Sequence, residues 1–335
     1  MKRPKLSIVI PVFNEEETIP ELHRRLTAFL GQLTEIGDEW EVVFVEDGSR
    51  DRSAALLSEL AERERRYRLV GFSRNFGHQI AITAGLDHAE GDAVVVMDAD
   101  LQDPPEVVRA MLERAGEGFD VVYGVRRKRE GETFFKRATA AAFYRLIRAM
   151  TGVAIPVDAG DFRLMRRPVV LTMRALREQH RFVRGMVAWV GFRQTAVLYD
   201  REGRFAGETK YPLRKMVKFA IDGITSFSVV PLRVATWLGL VGGVIAVITG
   251  VAIVVLKLVV PNISLPGWTG IMVALAFGFS AQLLMTGILG EYVGRIYEEI
   301  KRRPLYIVAR EVNGTTSSEE PVERAVRVGA VDASG

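Results

Sequence analysis

The chain has no cysteine, which excludes disulfides, thiolate metal sites and a thiol nucleophile together. Net charge is scarce as well: 45 Lys and Arg against 41 Asp and Glu leave +4 over 335 residues. A sequence pI of about 9.3 would permit nucleic-acid binding. The first half carries no basic stripe with interleaved aromatics, however, so no nucleic-acid partner is expected. The first two thirds also lack a long apolar run. Leu6-Ser7-Ile8-Val9-Ile10-Pro11, behind the basic Met1-Lys2-Arg3-Pro4-Lys5, is too short for a secretory apolar region and reads as a first strand, which places the N-terminal domain in the cytoplasm. The 48% apolar content leaves ample material for a large core.

The most informative stretch is Gly91-Asp92-Ala93-Val94-Val95-Val96-Met97-Asp98-Ala99-Asp100-Leu101-Gln102-Asp103-Pro104-Pro105. Its β-branched run reads as a buried parallel strand whose C-terminal end delivers Asp98 and Asp100 to a cleft, where open α/β sheets place ligands. On an extended chain residues i and i+2 face one side. The two carboxylates can then share a hard divalent cation such as Mg2+, which takes oxygen ligands and substrate phosphates. Gln102 would add an amide oxygen or support the ligands from behind. The rival reading is a solvated acidic turn. Pro104-Pro105 should start a helix over Glu106 to Glu117.

Upstream, Leu6 to Val12, Glu41 to Glu46 and Arg68 to Phe72 read as strands. They alternate with helices from Asn14 to about Leu33, Arg52 to Arg65 and Gln79 to Ala89. This alternation implies an α/β, doubly wound parallel sheet with crossover helices. Polar groups recur at three strand ends, Asn14 with Glu15, Glu46 with Asp47, and Asp98 with Asp100. Such ends are neighbours in the sheet, which favours a site over scattered surface residues.

Four segments carry a resemblance: Ile8 to Glu16, Val45-Glu46-Asp47-Gly48-Ser49, Arg74-Asn75-Phe76-Gly77 and Met97 to Pro105. Together, in that order, they resemble the family 2 glycosyltransferases. More closely they are similar to the polyisoprenyl-phosphate glycosyltransferases, the group of dolichol-phosphate mannose synthase and bactoprenol glucosyltransferase. Glu46 stands where many of that family carry aspartate, which shifts the expected contacts to base or ribose. The resemblance implies a GT-A-type, mostly parallel sheet, a glycosyltransferase activity and a Mg2+ or Mn2+ cofactor. It places Pro11, Val12, Asn14, Glu15, Asp47, Asp98 and Ala99 at the nucleotide sugar, and Asp98, Asp100 and Gln102 at the metal and diphosphate. Helix capping is the rival for Asn14 and Glu15, and strand termination for Pro11 and Val12. Asn75 and His78 are equally open to a loop or cap role and to substrate contact.

The same resemblance puts Arg126, Arg137, Arg181 and Arg184 at the acceptor phosphate, with solvated basic surfaces as the alternative. It makes Asp100 and Asp161 catalytic, Asp161 lying in Gly160-Asp161-Phe162-Arg163. Asp161 would act as a base, orient a substrate, or pair with Arg163. An acceptor phosphate with a second pKa near 6 is already largely ionised at pH 7 and needs no base.

The last third is apolar. Val234 to Val260 contains one charge, Lys257, and Thr269 to Val293 only Glu291; each exceeds the roughly 20 residues that cross a bilayer as a helix. Arg204, Lys210, Arg214, Lys215, Lys218 and Arg233 precede the first stretch, and Arg295, Lys301, Arg302 and Arg303 follow the second, so both termini should be cytoplasmic in an inner or plasma membrane. Phe134 to Met150 is amphipathic, and Tyr211 to Phe227 has the mix of lysines and apolar residues of an interface helix. The expected organisation is a catalytic domain over 1–203, interface helices over 204–232, two transmembrane helices over 233–294, a juxtamembrane segment over 295–309 and a disordered tail over 310–335.

The function expected is inverting transfer of a hexose, glucose from UDP-glucose, to a polyprenyl phosphate such as undecaprenyl phosphate. Alternatives are a polysaccharide-elongating glycosyltransferase and a non-catalytic nucleotide-sugar-binding membrane adaptor. Partners implied by the family are the nucleotide sugar, the polyprenyl phosphate, the membrane, other copies in a homo-oligomer, a tetramer among relatives, and a flippase.

Overall fold

The structure is a computed structural model that describes residues 5–127, 159–200, 228–259 and 267–314. Elements are numbered in chain order over those residues. Strands β1 (Leu6–Val12), β2 (Trp40–Glu46) and β3 (Tyr67–Phe72) are buried at every position, as parallel strands covered on both faces should be. Helices α1 (Ile19–Gly31), α2 (Ser53–Arg63) and α3 (His78–His88) connect them to one another and to β4 (Ala93–Val96). β1 pairs in parallel with β2 and with β4, and β2 with β3. The chain therefore leaves β1 on one side and returns on the other, opening a crevice at the carboxyl ends of β1 and β4.

After α4 (Val107–Gly116) come β5 (Val121–Arg126), β6 (Ala159–Arg166), α5 (Arg167–Ala175), α6 (Val183–Trp189) and β7 (Gln194–Tyr199). β6 runs antiparallel between β4 and β5, and β7 lies parallel to β5. The sheet is mostly parallel, in the order β7-β5-β6-β4-β1-β2-β3-β8, the last strand being Val308–Val312. Alternation along β1 sends Leu6, Ile8 and Ile10 to one face, against Leu22, Leu26, Leu57 and Met111. Val9 goes to the other, with Ala81, Ile82, Val169 and Met186.

Two expectations need correction. The acidic strand ends at Val96, because β1 pairs with β4 only as far as Val9. Met97 N still donates to Val9 O at 3.1 Å, after which the chain turns, with Leu101 at φ 58°. Asp100 thus sits on a turn, and Asp98 lies beyond the end of the paired strand. The tail, expected to be disordered from Arg310, instead supplies an edge strand, β8 (Val308–Val312), antiparallel to β3. The Ser, Thr and Glu-rich composition that suggested disorder begins only at Thr315, outside the described residues.

Helices α7 (Val230–Val259) and α8 (Trp268–Ile300) contain the apolar stretches. Val230–Ile253 and Gly270–Ile300 are long and apolar enough to cross a membrane, with hydropathies of 2.1 and 1.9 and none of either window buried in the molecule. Trp237, Ile245, Phe277 and Leu283 are among the side chains left exposed there. α8 continues past Val293 to Ile300 and stops where Arg302 takes φ 47° ahead of Pro304. Arg137, the amphipathic stretch Phe134 to Met150 and the interface stretch Tyr211 to Phe227 lie outside the described residues.

Candidate active site

The turns after β1 and β2 are laced together. Asn14, at φ 55°, donates its backbone N–H to Ser49 Oγ (3.0 Å) and accepts at Oδ1 from Arg50 N (2.8 Å). Glu15 N donates to Ser53 Oγ (2.9 Å), and Thr18 Oγ1 donates to Glu15 Oε2 (2.8 Å). Pro11 and Val12 are buried within β1. Next to them Glu46 accepts from Ser49 N.

Asp47 organises a third turn. Its carboxylate accepts from Phe76 N (2.7 Å), Gly77 N (3.0 Å) and Asn75 Nδ2 (2.9 Å). Burial raises this carboxyl above its ordinary pKa, and the Phe76 and Gly77 N–H groups pull it part of the way back. Gly48 has to be glycine, since it holds φ 69° and a Cβ there would lie 2.4 Å from the Arg74 carbonyl carbon. The docked turn aims the first residues of α3, His78 and Gln79, across the carboxyl ends of the strands.

The antiparallel register supplies the facing group. Val96 opposes Arg163 at the end of β4, and just beyond it Asp98 and Asp161 come together on either side of His78. Arg184 grips Asp161 with both ends, Nε to Oδ1 at 2.9 Å and Nη2 to Oδ2 at 2.9 Å. Arg163 Nη2 lies 3.6 Å from Asp161 Oδ1 and Gln79 Nε2 3.4 Å from Oδ2. Gln79 Oε1 also accepts from Val183 N (2.9 Å), tying α3 to α6. His78 Nε2 stands 3.5 Å from both Asp98 Oδ1 and Asp161 Oδ2.

The two carboxylates differ in charge surroundings. Burial, together with Asp161, Asp103 and Asp100, pushes the Asp98 carboxyl up to about 6 against the opposing pull of His78. Burial would raise Asp161 as well, but the His78 hydrogen bond, Arg184 and Arg163 hold it far below the usual carboxylate range. Burial lowers the His78 imidazolium, and Asp161 and Asp98 more than offset that, leaving it above its ordinary value.

Asp98 Oδ1 is buried without a hydrogen-bond partner among the described residues. Asp100 is 8% exposed and accepts from Gln102 N (3.1 Å), Ala99 is buried between them, and Asp103 accepts from the Tyr199 hydroxyl. An unsatisfied carboxylate oxygen amid further acids fits a divalent cation. Among the described residues no three His, Cys, Asp or Glu side chains close a cage, so the remaining ligands would come from a bound phosphate.

Of the acceptor-side arginines, Arg126 ends β5 opposite Tyr199. Its Nε is buried without a hydrogen-bond partner among the described residues. Arg184 is committed to Asp161. Arg181 is turned away, contrary to its expected phosphate role. It donates to Leu176 O and to Met173 O (3.2 Å), capping α5, and burial lowers its pKa to about 10. Sequence reasoning missed Gln79 and Tyr199. Gln79 follows His78 directly, but nothing local marks its contact with Val183.

Residues 7–173 match the family model described as Glycosyl transferase family 2. The chain is 51% identical over 304 residues to the uncharacterized glycosyltransferase YkcC of Bacillus subtilis (strain 168), covering 91% of this chain and 93% of that one. It is 40% identical over 306 residues to the prophage bactoprenol glucosyl transferase homolog of Escherichia coli (strain K12), covering 91% and 99%. A bactoprenol glucosyl transferase of Shigella phage SfII is 41% identical over 310 residues, covering 92% and 99%.

Proposed function

The chain belongs to glycosyl transferase family 2 and is a glycosyltransferase, and from that premise we propose that it transfers glucose from UDP-glucose to a polyprenyl phosphate, with inversion, at the cytoplasmic face of a membrane. The observation that carries this reading is the pairing of an unsatisfied acidic pocket at Asp98 with an arginine-clamped Asp161, in a chain that also presents two exposed apolar helices. Relatives named as bactoprenol glucosyl transferases match nearly their whole length.

The nucleotide would lie across the turns of Pro11, Val12, Asn14, Glu15 and Asp47, with Ala99 beneath it. Asp98 and Asp100, supported by Gln102, would hold a Mg2+ or Mn2+ ion, which supplies charge neutralisation to the departing diphosphate. An oxygen of the lipid phosphate forms the new bond to the anomeric carbon on the face opposite the diphosphate, whose C–O bond breaks with its electron pair leaving on the nucleotide. Because that phosphate is largely ionised at neutral pH, no side chain need remove a proton. Asp161, held ionised by Arg184, is a poor base and orients its neighbours instead. Arg126, with Arg137, would meet the acceptor phosphate, while Arg184 stays on Asp161. The basic residues that flank both apolar helices support a topology with their outer ends in the cytoplasm.

Radiolabel transfer from a panel of nucleotide sugars into undecaprenyl phosphate in membranes tests the reading, with Asp100→Asn as the control. Label should enter lipid from UDP-glucose and disappear in the variant. Sugar binding without transfer would instead identify an adaptor, and label in a growing saccharide would identify a polymerising enzyme.

A further inference from the structure

The end of α8 is fastened to the catalytic domain at two places. In its last turn Glu298 Oε2 lies 2.6 Å from His180 Nε2, and Glu299 Oε1 accepts from Gln179 N at 2.7 Å. Just beyond, Arg303 O accepts from Gln179 Nε2 at 2.7 Å. The chain then runs along the open edge of β3. The Tyr306 ring stacks on Phe72 (centroids 5.1 Å apart, planes at 21°), and its hydroxyl donates to Asp87 Oδ2 at 2.9 Å. Asp87 is paired in turn with Arg177 at 2.8 Å. Ser73 N donates to Ile307 O (3.0 Å), β8 pairs with β3, and Asn313 Nδ2 closes the strap on Tyr67 O (2.9 Å).

Both fastenings act on elements that hold Asp161. Gln179 and His180 lead into α6, whose Arg184 grips that carboxylate. Asp87 lies near the far end of α3, whose first residues His78 and Gln79 reach the same group. Exposed ion pairs are weak singly, but the packed Tyr306 and the strand pairing make the attachment rigid as a set.

We propose that residues 298–313 form a clamp that fixes the catalytic site against the end of α8, so that Glu298, Glu299 and Tyr306 are positioning residues for transfer to a lipid acceptor. This rests on reading α8 as a membrane span and the acceptor as a lipid. A lipid phosphate is confined to the bilayer surface, and a catalytic domain on a slack tether would hold its anomeric carbon at varying heights above it. The clamp removes that freedom without touching either substrate.

The test uses the full chain in proteoliposomes containing undecaprenyl phosphate, with UDP-glucose as donor. One variant carries a Gly-Ser-Gly-Ser insertion between Arg303 and Pro304, which removes none of these side chains and slackens only the connection. The second is Glu298→Ala with Glu299→Ala, both solvent-facing, so folding is retained. The insertion should lower kcat for glycolipid formation about tenfold, with donor Kd kept within about twofold. The double substitution should shift kcat in the same direction by a smaller factor. Unchanged kcat in both variants overturns the clamp, as does a loss of donor binding in parallel with kcat. Failure of the unmodified protein to form glycolipid is a separate outcome that overturns the proposed function and the clamp with it.

Discussion

Asp98 and Asp161 sit side by side with His78 between them, yet one lies among acids and the other among cations. Asp98 has a buried oxygen without a hydrogen bond among the described residues and a carboxyl pushed up to about 6. Asp161 has Arg184 on both oxygens and a carboxyl held far below its usual range. The difference is that the segment after β4 leaves a buried carboxylate oxygen where the proposed cation would bind, whereas β6 is already neutralised from within the fold. A carboxylate with its charge satisfied is suited to hold geometry, and one left unsatisfied is suited to bind.

The comparison breaks most visibly if the cation is withheld. Chelating divalent ions, or replacing Asp98 and Asp100 together by alanine, should reduce sugar transfer by about 1,000-fold or more, as expected when charge stabilisation of a leaving diphosphate is lost. Initial rates of glycolipid formation with graded Mg2+ or Mn2+ measure this. Retained activity under chelation would place the chemistry elsewhere.

Arg184→Ala should come next. It leaves Asp161 buried with only Arg163, His78 and Gln79 nearby, and removing one partner of such a pair costs about 3 kcal/mol. Chemical denaturation reads the stability loss, and transfer should fall about 100-fold as the site loosens. Adding Asp161→Asn to Arg184→Ala should recover only part of that stability, because the buried Arg163 guanidinium then loses its carboxylate partner.

Asp161→Asn alone sharpens the contrast between base and anchor. An essential general base contributes roughly 100- to 10,000-fold. An anchor that keeps its shape and one hydrogen bond should cost about tenfold in kcat, near the lower edge of ordinary positioning effects. Steady-state rates with saturating lipid acceptor separate the two.

Much of this was legible in the sequence, and the reasons are local. The runs Leu6 to Val12 and Ala93 to Val96 are almost wholly apolar and rich in β-branched residues, and such runs become buried parallel strands with little ambiguity. The acidic pair stood out because it closes one of them. What the sequence could not show is where pairing stops: β1 leaves β4 at Val9, and that decides that Asp100 lies on a turn and Asp98 beyond the end of the paired strand. Arg181 and Arg184 stand three residues apart in one motif, yet one reaches the carbonyls at the end of α5 and the other reaches Asp161. Their fates are set by the path of the chain between α5 and α6. β8 was hidden because five residues with two adjacent charges have no strand signature until the edge of β3, far upstream, receives them and Glu311 meets Arg68 and His88.

The smallest effect expected is that of Tyr199→Phe, and it asks whether the acidic turn is held from the side of β7. The Tyr199 hydroxyl donates to Asp103, and burial with the neighbouring Asp103 carboxylate raises the phenol well above its ordinary pKa, so it keeps its proton. The ring packs edge-on against Phe162 with centroids 5.6 Å apart, and Gly124 opposite has no room for a Cβ, which would come 2.8 Å from Tyr199. Phenylalanine preserves that packing and removes the hydroxyl's contacts with the Asp103 carboxylate and with Arg126, a loss of about 1–3 kcal/mol when the carboxylate stays buried. Asp103, one of the acids that raise Asp98, then loses this donor while the residues around Asp161 are untouched. Stability to denaturant should therefore fall measurably, whereas kcat changes by no more than about threefold and the metal concentration for half-maximal rate shifts more than the rate does. A variant that lost kcat and left the metal requirement unchanged would show that Tyr199 serves β6 instead of the turn after β4, and would erase the division between the two carboxylates.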